Sequence, residues 1–89
     1  MKSRATRSFW AAFRELPAEV QDRARDTYAA FSSDPSHPSL KFKCVHAARP
    51  IYSVRVTRGY RAIGLLQTDT VTWIWIGGHR EYERLLRRL

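Results

Sequence analysis

The chain has 89 residues, which predicts a single domain over residues 1–89 with a thin hydrophobic core. Apolar residues make up 44% of the sequence, which excludes a mainly disordered chain, and no apolar run approaches the roughly 20 residues of a membrane-spanning helix. Sixteen Lys and Arg side chains against eight Asp and Glu give a net charge of +8, which favours a polyanionic partner, either a nucleic acid or an acidic protein.

The first third of the chain predicts two helices. Residues 1–7 are polar and basic, and they form either a short edge strand or a frayed end. After Ser8, a suitable N-cap, apolar residues recur at helical spacing: Phe9, Trp10, Phe13 and Leu16. The second helix spans 17–33, begins at Pro17 and carries an apolar stripe of Val20, Ala24, Tyr28 and Phe31. Two helices joined at a proline predict an antiparallel hairpin.

After a proline-containing loop over 34–39, the apolar residues alternate with polar ones, which predicts β-strands. The predicted strands span 40–44, 52–57, 60–66 and 71–76. Turns at Arg58-Gly59 and Thr68-Asp69 connect the last three strands, as is typical of an antiparallel meander. Gly77-Gly78 ends the last strand, and a terminal helix over 79–89 places Tyr82, Leu85, Leu86 and Leu89 on one side.

This order of elements predicts an α+β fold. The helical hairpin packs on one face of a small antiparallel sheet of three or four strands, with a short C-terminal helix, and the other sheet face is free. Strand parity places Trp73 and Trp75 on the same side, which favours the core for both. Cys44 alternates with core residues and is expected to be buried and inert.

Cysteine usage and the first residues favour a cytoplasmic protein. Cys44 is the only cysteine, so no internal disulfide can form, which fits a reducing compartment. No apolar run follows Lys2 and Arg4, as it would in a secretory signal.

The excess positive charge is concentrated in the strands. Between residues 35 and 80, seven basic side chains accompany one acidic side chain, Asp69, which gives this segment a net charge of +6. Lys41 and Lys43 share one side of their strand, and Arg55 projects opposite to the core positions of its own strand. With Arg61, these residues form a sheet face that would attract a phosphate backbone. For each lysine, the alternative is simple solvation or protection of an exposed edge strand.

Few other groups point to chemistry. Gly77-Gly78 lacks the Lys-Ser or Lys-Thr that follows in phosphate-binding loops, and the three histidines lack metal-ligand spacing with Cys44, so we expect neither a cofactor nor a metal. His79 and Tyr82 stand three residues apart just after the last strand. Histidine suits proton transfer near neutral pH, and tyrosine can bind phosphate or stack on a base. The alternatives are a helix cap for His79 and a core position for Tyr82.

Four segments, in order, resemble the RelE/ParE toxin superfamily of bacterial toxin–antitoxin modules. They are HPSLKFK at 37–43, YSVRV at 52–56, GYRA at 59–62 and WIGGHREY at 75–82. LPAEVQ at 16–21 also resembles the helical hairpin of the superfamily, so the resemblance covers the chain from Phe9 to Leu86. It implies a metal-independent endoribonuclease that cuts mRNA by attack of a ribose 2′-hydroxyl on the adjacent phosphate. The implied partners are mRNA, the ribosome and a cognate antitoxin.

The resemblance also implies roles for individual residues. Arg61 matches the phosphate-binding arginine of the superfamily, Arg55 matches the basic residue of the preceding strand, and His79 lies where members place an Arg or His. The implied catalytic residues are therefore Arg55, Arg61, His79 and Tyr82, the last resembling the C-terminal tyrosine of some members. The implied RNA-binding residues are Lys41, Lys43, Arg58 and Arg80.

The sequence departs from the ribosome-dependent members at two places. Tyr52 and Ser53 occupy positions where some members carry lysines, and the turn between Arg55 and Tyr60 is one residue longer. The superfamily also includes proteins that inhibit DNA gyrase and lack ribonuclease residues. Two alternatives to a ribonuclease are therefore a ParE-like toxin that inhibits gyrase by protein binding, and a non-toxic module that binds nucleic acid.

Overall fold

A computed structural model describes all residues from Met1 to Leu89. In chain order, the elements are β1 (Lys2–Ala5), α1 (Arg7–Arg14), α2 (Ala18–Ser33), a 3₁₀ helix (Pro38–Leu40), β2 (Lys43–Cys44), β3 (Ile51–Thr57), β4 (Tyr60–Gln67), β5 (Thr70–Gly78) and α3 (His79–Arg88). The predicted α+β fold is confirmed, with the helical hairpin first, the strands next and a short helix last. None of the helices combines the length and the apolar character needed to cross a membrane.

The strands form one five-stranded sheet in the order β1-β5-β4-β3-β2. The meander of β3, β4 and β5 is antiparallel, as predicted. β1 pairs with β5 in parallel, from Lys2 opposite Thr70 to Ala5 opposite Trp73. The N-terminal residues therefore form an edge strand, and the sheet is mixed and has five strands rather than three or four.

The first helix begins two residues earlier than predicted, because its N-cap is Thr6 and not Ser8. Thr6 is the N-cap, and its hydroxyl accepts a hydrogen bond of 3.2 Å from the backbone N–H of Phe9. The Ser8 hydroxyl instead donates to the carbonyl of Ile74 at 2.7 Å. These contacts tie the start of α1 to β5, and α2 begins at Ala18, directly after Pro17.

The main core lies between the helical hairpin and one face of the sheet, which we call the hairpin face. Its strand residues include Val54, Val56, Ala62 and Trp73. A second cluster of Ile51, Ile63 and Tyr82 lies on the opposite face, where Leu85, Leu86 and Leu89 pack against it. The prediction that this second face is free is wrong, because α3 covers part of it.

A change of register in β5 separates the two tryptophans. Ile63 pairs with Trp75, whereas its neighbour Gly64 pairs with Trp73, so Ile74 is an extra, bulged residue. Trp73 is 6% exposed and belongs to the main core, whereas Trp75 is half-buried and packs with the second cluster. The prediction that both tryptophans lie on the same side is wrong, because one inserted residue reverses strand parity.

The predicted strand over 40–44 is mostly replaced by a turn. A 3₁₀ helix ends at Leu40, and Lys41 adopts a left-handed conformation with φ of 47°. The left-handed turn ends the alternation, so Leu40 is buried at 2% exposure while Cys44 is exposed. The prediction of a buried Cys44 is therefore wrong. In the loop before this turn, hydrogen bonds from the hydroxyl and the backbone N–H of Ser36 hold the pKa of Asp34 below its ordinary value.

Candidate nucleic-acid interface

Two of the predicted catalytic arginines lie opposite each other on neighbouring strands. Arg55 of β3 pairs with Arg61 of β4, and Arg61 pairs in turn with Gly77 of β5. Directly opposed side chains in an antiparallel pair have Cβ atoms about 4.5–5.5 Å apart. Both arginines are half-buried, and alternation places them opposite to the hairpin face. We call this side the arginine face; its strand residues are Ser53, Arg55, Arg61, Ile63 and Trp75.

No carboxylate neutralises the arginine pair. The three ion pairs of the protein join Arg25 to Asp22, and His79 and Arg87 to Glu83, so neither Arg55 nor Arg61 takes part in one. A half-buried guanidinium without an acidic partner keeps its full charge and its donors for an external anion. The pair can therefore bind a phosphate with several donors at once.

Lys43 extends the arginine face toward the other edge of the sheet. It pairs with Ser53, which pairs with Ile63, so its side chain lies on the same side as Arg55. Lys43 is exposed, whereas Ser53 beneath it is 1% exposed. Lys41, predicted to share this face, lies in the left-handed turn before the strand, and its position does not follow from the sheet register. The structure thus brings Lys43, but not Lys41, into line with the arginines.

His79 begins α3 beside the turn between β3 and β4. Its backbone N–H donates to the carbonyl of Gly59 at 2.9 Å, which fixes the start of the helix next to that turn. Its imidazole side chain is 48% exposed, and Nε2 lies 2.8 Å from Oε1 of Glu83, one turn along the helix. Because a carboxylate accepts, Nε2 carries a proton and donates to Glu83, which leaves Nδ1 free to exchange a proton.

Tyr82 combines a buried ring with an accessible hydroxyl. It is 8% exposed, and its ring packs with Ile51 and Ile63, as the core alternative anticipates. The hydroxyl forms no hydrogen bond within the protein, and the only buried side-chain polar atom without a partner is Nε1 of Trp73, so the Tyr82 hydroxyl reaches the surface. The rings of Tyr82 and His79 have centroids 5.8 Å apart, so the tyrosine lies beside the imidazole.

A family model described as the ParE-like toxin domain matches residues 18–84, from the start of α2 into α3. The chain belongs to the ParE-like toxin domain family. The match includes all the antiparallel strands of the toxin domain and confirms the predicted membership of the RelE/ParE toxin superfamily. No curated protein matches the chain.

Three solved structures share the fold. The YoeB/ParE toxin from Agrobacterium tumefaciens is 18% identical, with a TM-score of 0.69 and coverage of 89% of this chain and 99% of that one. A chain of the RelB-RelE antitoxin-toxin complex from Methanococcus jannaschii is 13% identical, with a TM-score of 0.75 and coverage of 92% and 96%. YafQ from E. coli strain BL21(DE3) is 8% identical, with a TM-score of 0.73 and coverage of 91% and 96%. These matches extend over almost the full length of each matched chain.

The two remaining predicted RNA-binding residues of the toxin domain lie at the same end of the sheet as the arginine pair. Arg58 lies in the turn between β3 and β4, and Arg80 follows His79 in the first turn of α3; both are exposed and neither forms an ion pair. No group of three or more His, Cys, Asp or Glu side chains could hold a metal ion.

Two features of the site in the toxin domain were missed by reasoning from sequence. Glu83, which orients His79, lies four residues after it on a predicted helix, and this spacing could have revealed the pair. Trp75 lies on the arginine face because of the bulge at Ile74. No residue type in the sequence marks that bulge, so this position could not have been found.

Proposed function

We propose that this toxin domain is a metal-independent endoribonuclease that cuts mRNA, with the ribosome as a further partner. The observation that supports it most directly is the pair of Arg55 and Arg61, which face each other without an acidic partner, near a histidine with one free ring nitrogen. Cleavage by a 2′-hydroxyl needs cations for the negative transition state and a group that transfers a proton. Metal independence is carried over from the resemblance to the superfamily. We further infer one domain over 1–89, acting in the cytoplasm.

In the proposed reaction, the ribose 2′-oxygen forms a bond to phosphorus while the bond to the 5′-oxygen breaks. The products are a 2′,3′-cyclic phosphate and a free 5′-hydroxyl. Arg55 and Arg61 bind the phosphate oxygens and stabilise the charge that grows on them. Nδ1 of protonated His79 donates a proton to the leaving 5′-oxygen, and the proton of the 2′-hydroxyl passes to water. The Tyr82 hydroxyl positions the substrate by a hydrogen bond.

RNA on either side of the cut phosphate would follow the other cations. Lys43 lies on the arginine face, and Arg58 and Arg80 lie on the turn and the helix beside it. Lys41 lies in the left-handed turn just before β2, and its side chain is exposed. Arginine and lysine contacts to phosphate position a strand without selecting its sequence, so they are assigned to binding and not to codon choice.

A cleavage assay tests the proposal. Purified protein is incubated with mRNA, with and without ribosomes, and the cut sites are mapped by primer extension. His79→Ala is expected to slow cleavage by about 10²- to 10⁴-fold, the usual contribution of a proton-transfer group. Arg61→Ala is also expected to abolish most activity, whereas the control Arg14→Ala, an exposed arginine at the end of α1, is expected to be neutral. In the reactions without ribosomes, a chelator should leave the cleavage rate unchanged.

Two outcomes would contradict this proposal. Unchanged cleavage in both His79→Ala and Arg61→Ala would remove the site assignment. Intact mRNA together with inhibition of DNA supercoiling would favour the gyrase-inhibiting alternative, in which His79→Ala is harmless.

We also infer that a cognate antitoxin binds this chain. Complexes of related folds with antitoxins support this, including RelB-RelE from Methanococcus jannaschii and RelBE2 from Mycobacterium tuberculosis. A cleft of about 590 Å³ between β1, α1 and α2 offers a docking surface, bordered by Trp10 and Tyr28, which are 47% and 53% exposed. Arg4 and Arg25 also line it, so an acidic segment with apolar side chains fits. Trp10→Ala should weaken co-purification with an antitoxin and leave RNA cleavage unchanged.

A further inference from the structure

Trp75 lies flat along its strand because the residue two positions later is glycine. A Cβ atom at position 77 would lie 2.7 Å from Cη2 of the Trp75 indole, closer than real Cβ contacts come, and 3.1 Å from Cε2, which is tighter than most of them. Gly77 does not have a positive φ, so its role is to leave space rather than to permit an unusual backbone. The six-membered ring of Trp75 therefore rests against the backbone that pairs with Arg61.

The same indole lines a cleft at the end of β5. The cleft has a volume of about 310 Å³, and its lining includes Trp75, Gly77, Tyr60, Pro17, Glu15 and Glu81. This volume is at the low end of the range of small-molecule sites, about 300–1,000 Å³. Because Gly77 pairs with Arg61, the cleft lies one strand away from the arginine pair.

The lining of the cleft is unsuited to a phosphate. No Lys or Arg contributes to it, and the two carboxylates of Glu15 and Glu81 would repel an anion. An aromatic ring suits the flat face of a base, and carboxylates accept hydrogen bonds from the amino groups of adenine, cytosine or guanine. Uracil has no amino group and can offer the two carboxylates only its single ring N–H. The cleft thus matches a base, while the neighbouring arginines match the phosphate attached to it.

We propose that this cleft is a subsite for one unpaired RNA base, stacked on Trp75, with a preference for bases that carry an amino group. The inference rests on the proposed function, because it needs an RNA strand on the arginine face. Trp75 is half-buried and lines the cleft, whereas Trp73 is buried in the main core. In this arrangement, Arg61 binds the phosphate and Trp75 stacks on the base. Phosphate contacts do not distinguish one base from another, so the subsite would supply the base preference.

Binding of uncleavable RNA tests the subsite. Short 2′-O-methyl RNAs, each with one abasic position, are titrated with the protein and followed by fluorescence anisotropy. With the wild type, the abasic substitution at one position is expected to weaken binding by about 5- to 100-fold, the effect of losing one stacked base. Trp75→Leu should bind intact RNA more weakly by the same factor and should no longer distinguish intact from abasic RNA. Trp10→Leu, on α1, is the matched control and should behave as the wild type.

A second measurement leaves Trp75 unchanged. In a Trp10→Phe background, Trp75 is the one remaining tryptophan that is not fully buried, so a stacked base should quench its emission. Intact RNA is expected to quench this emission. RNA that is abasic at the position that weakens binding is expected to leave the emission unquenched. Cytosine should bind better than uracil at that position, and Glu15→Gln with Glu81→Gln should reduce the difference.

The outcomes separate this inference from the proposed function. If RNA is bound and cut but Trp75→Leu still distinguishes abasic RNA, or intact RNA leaves the emission unquenched, the base subsite is wrong and the ribonuclease stands. Equal binding of cytosine and uracil would overturn the role given to the carboxylates. If no RNA is bound or cut by the wild type, the proposed function itself fails.

Discussion

Arg55 and Arg61 form a pair of like charges in directly opposed positions, and no carboxylate lies close enough to either guanidinium to form an ion pair. Like charges opposite each other destabilise an antiparallel pair, whereas opposite charges contribute roughly 0.2–1 kcal/mol. A phosphate bound between the two guanidinium groups would remove the repulsion. Any anion that binds only the folded protein also raises its stability by mass action. In the proposed complex with RNA, the same two side chains would therefore stabilise the bound state, although their repulsion weakens the free fold.

The first prediction follows from this repulsion. Arg55→Gln removes one charge and keeps part of the aliphatic stem, so it should raise the free energy of unfolding at low salt by up to about 1 kcal/mol. RNA affinity should fall in the same variant. Urea denaturation measures the first effect, and Arg55→Lys, which retains the charge, is the control. Added salt should reduce the difference in unfolding free energy between Arg55→Gln and the wild type, because salt screens the repulsion in the wild-type pair. If Arg55→Gln were less stable than the wild type at low salt, repulsion between the two arginines would not destabilise the fold.

At the scale of elements, local patterns were enough for most of the fold. Alternation located β3, β4 and β5 and placed Arg55 opposite to the core positions of its strand. The bulge at Ile74 could not be predicted, because every residue of 73–76 is large and apolar and a shifted register leaves no polar group in the core. The pairing of β1 also left no local signal, since its partner β5 lies about 68 residues away along the chain.

The candidate site could be predicted in part for the same reasons. Strand parity placed Lys43 correctly, but its neighbour Lys41 adopts a left-handed turn that parity cannot foresee. The same turn exposes Cys44. The pair of His79 and Glu83 has the i,i+4 spacing of neighbours on a helix, so this contact could be predicted from the sequence. Side chains were therefore placed on the wrong face where the backbone leaves regular geometry, and on the correct face where the strand or helix is regular.

The second prediction concerns the packing of β4 against β5. A Cβ atom at Gly64 would lie 2.7 Å from Cγ1 of Val71 and 2.8 Å from Cε3 of Trp73, and both side chains are buried in the main core. Gly64→Ala should therefore lower the free energy of unfolding by about 1–3 kcal/mol, the usual cost of overpacking. Gly59→Ala is the control, because its Cβ would meet no atom within 4 Å. Equal denaturation midpoints for the two variants would contradict this account of the bulged strand.

At the scale of the whole molecule, the positive charge is unevenly distributed. Residues 1–34 have a net charge of +1, residues 35–80 a net charge of +6 and residues 81–89 a net charge of +1. The middle segment contains β2 to β5, so the sheet and its turns carry most of the field, while the charges of the helical hairpin nearly cancel. A polyanion should therefore approach the sheet, where the field is strongest, rather than the hairpin.

The third prediction is the salt dependence that such a distribution implies. Binding to single-stranded RNA should weaken with salt by a slope of about 0.7 in log K per log salt for each phosphate neutralised. If Lys43, Arg55, Arg58 and Arg61 each contact one phosphate, the total slope is about −3. Arg61→Gln should reduce its magnitude by about 0.7. Arg14→Gln changes the net charge equally but lies on α1, so its slope should match the wild type. If the salt slope fell equally in both variants, RNA binding would depend on net charge alone. The sheet would then not be the specific binding surface.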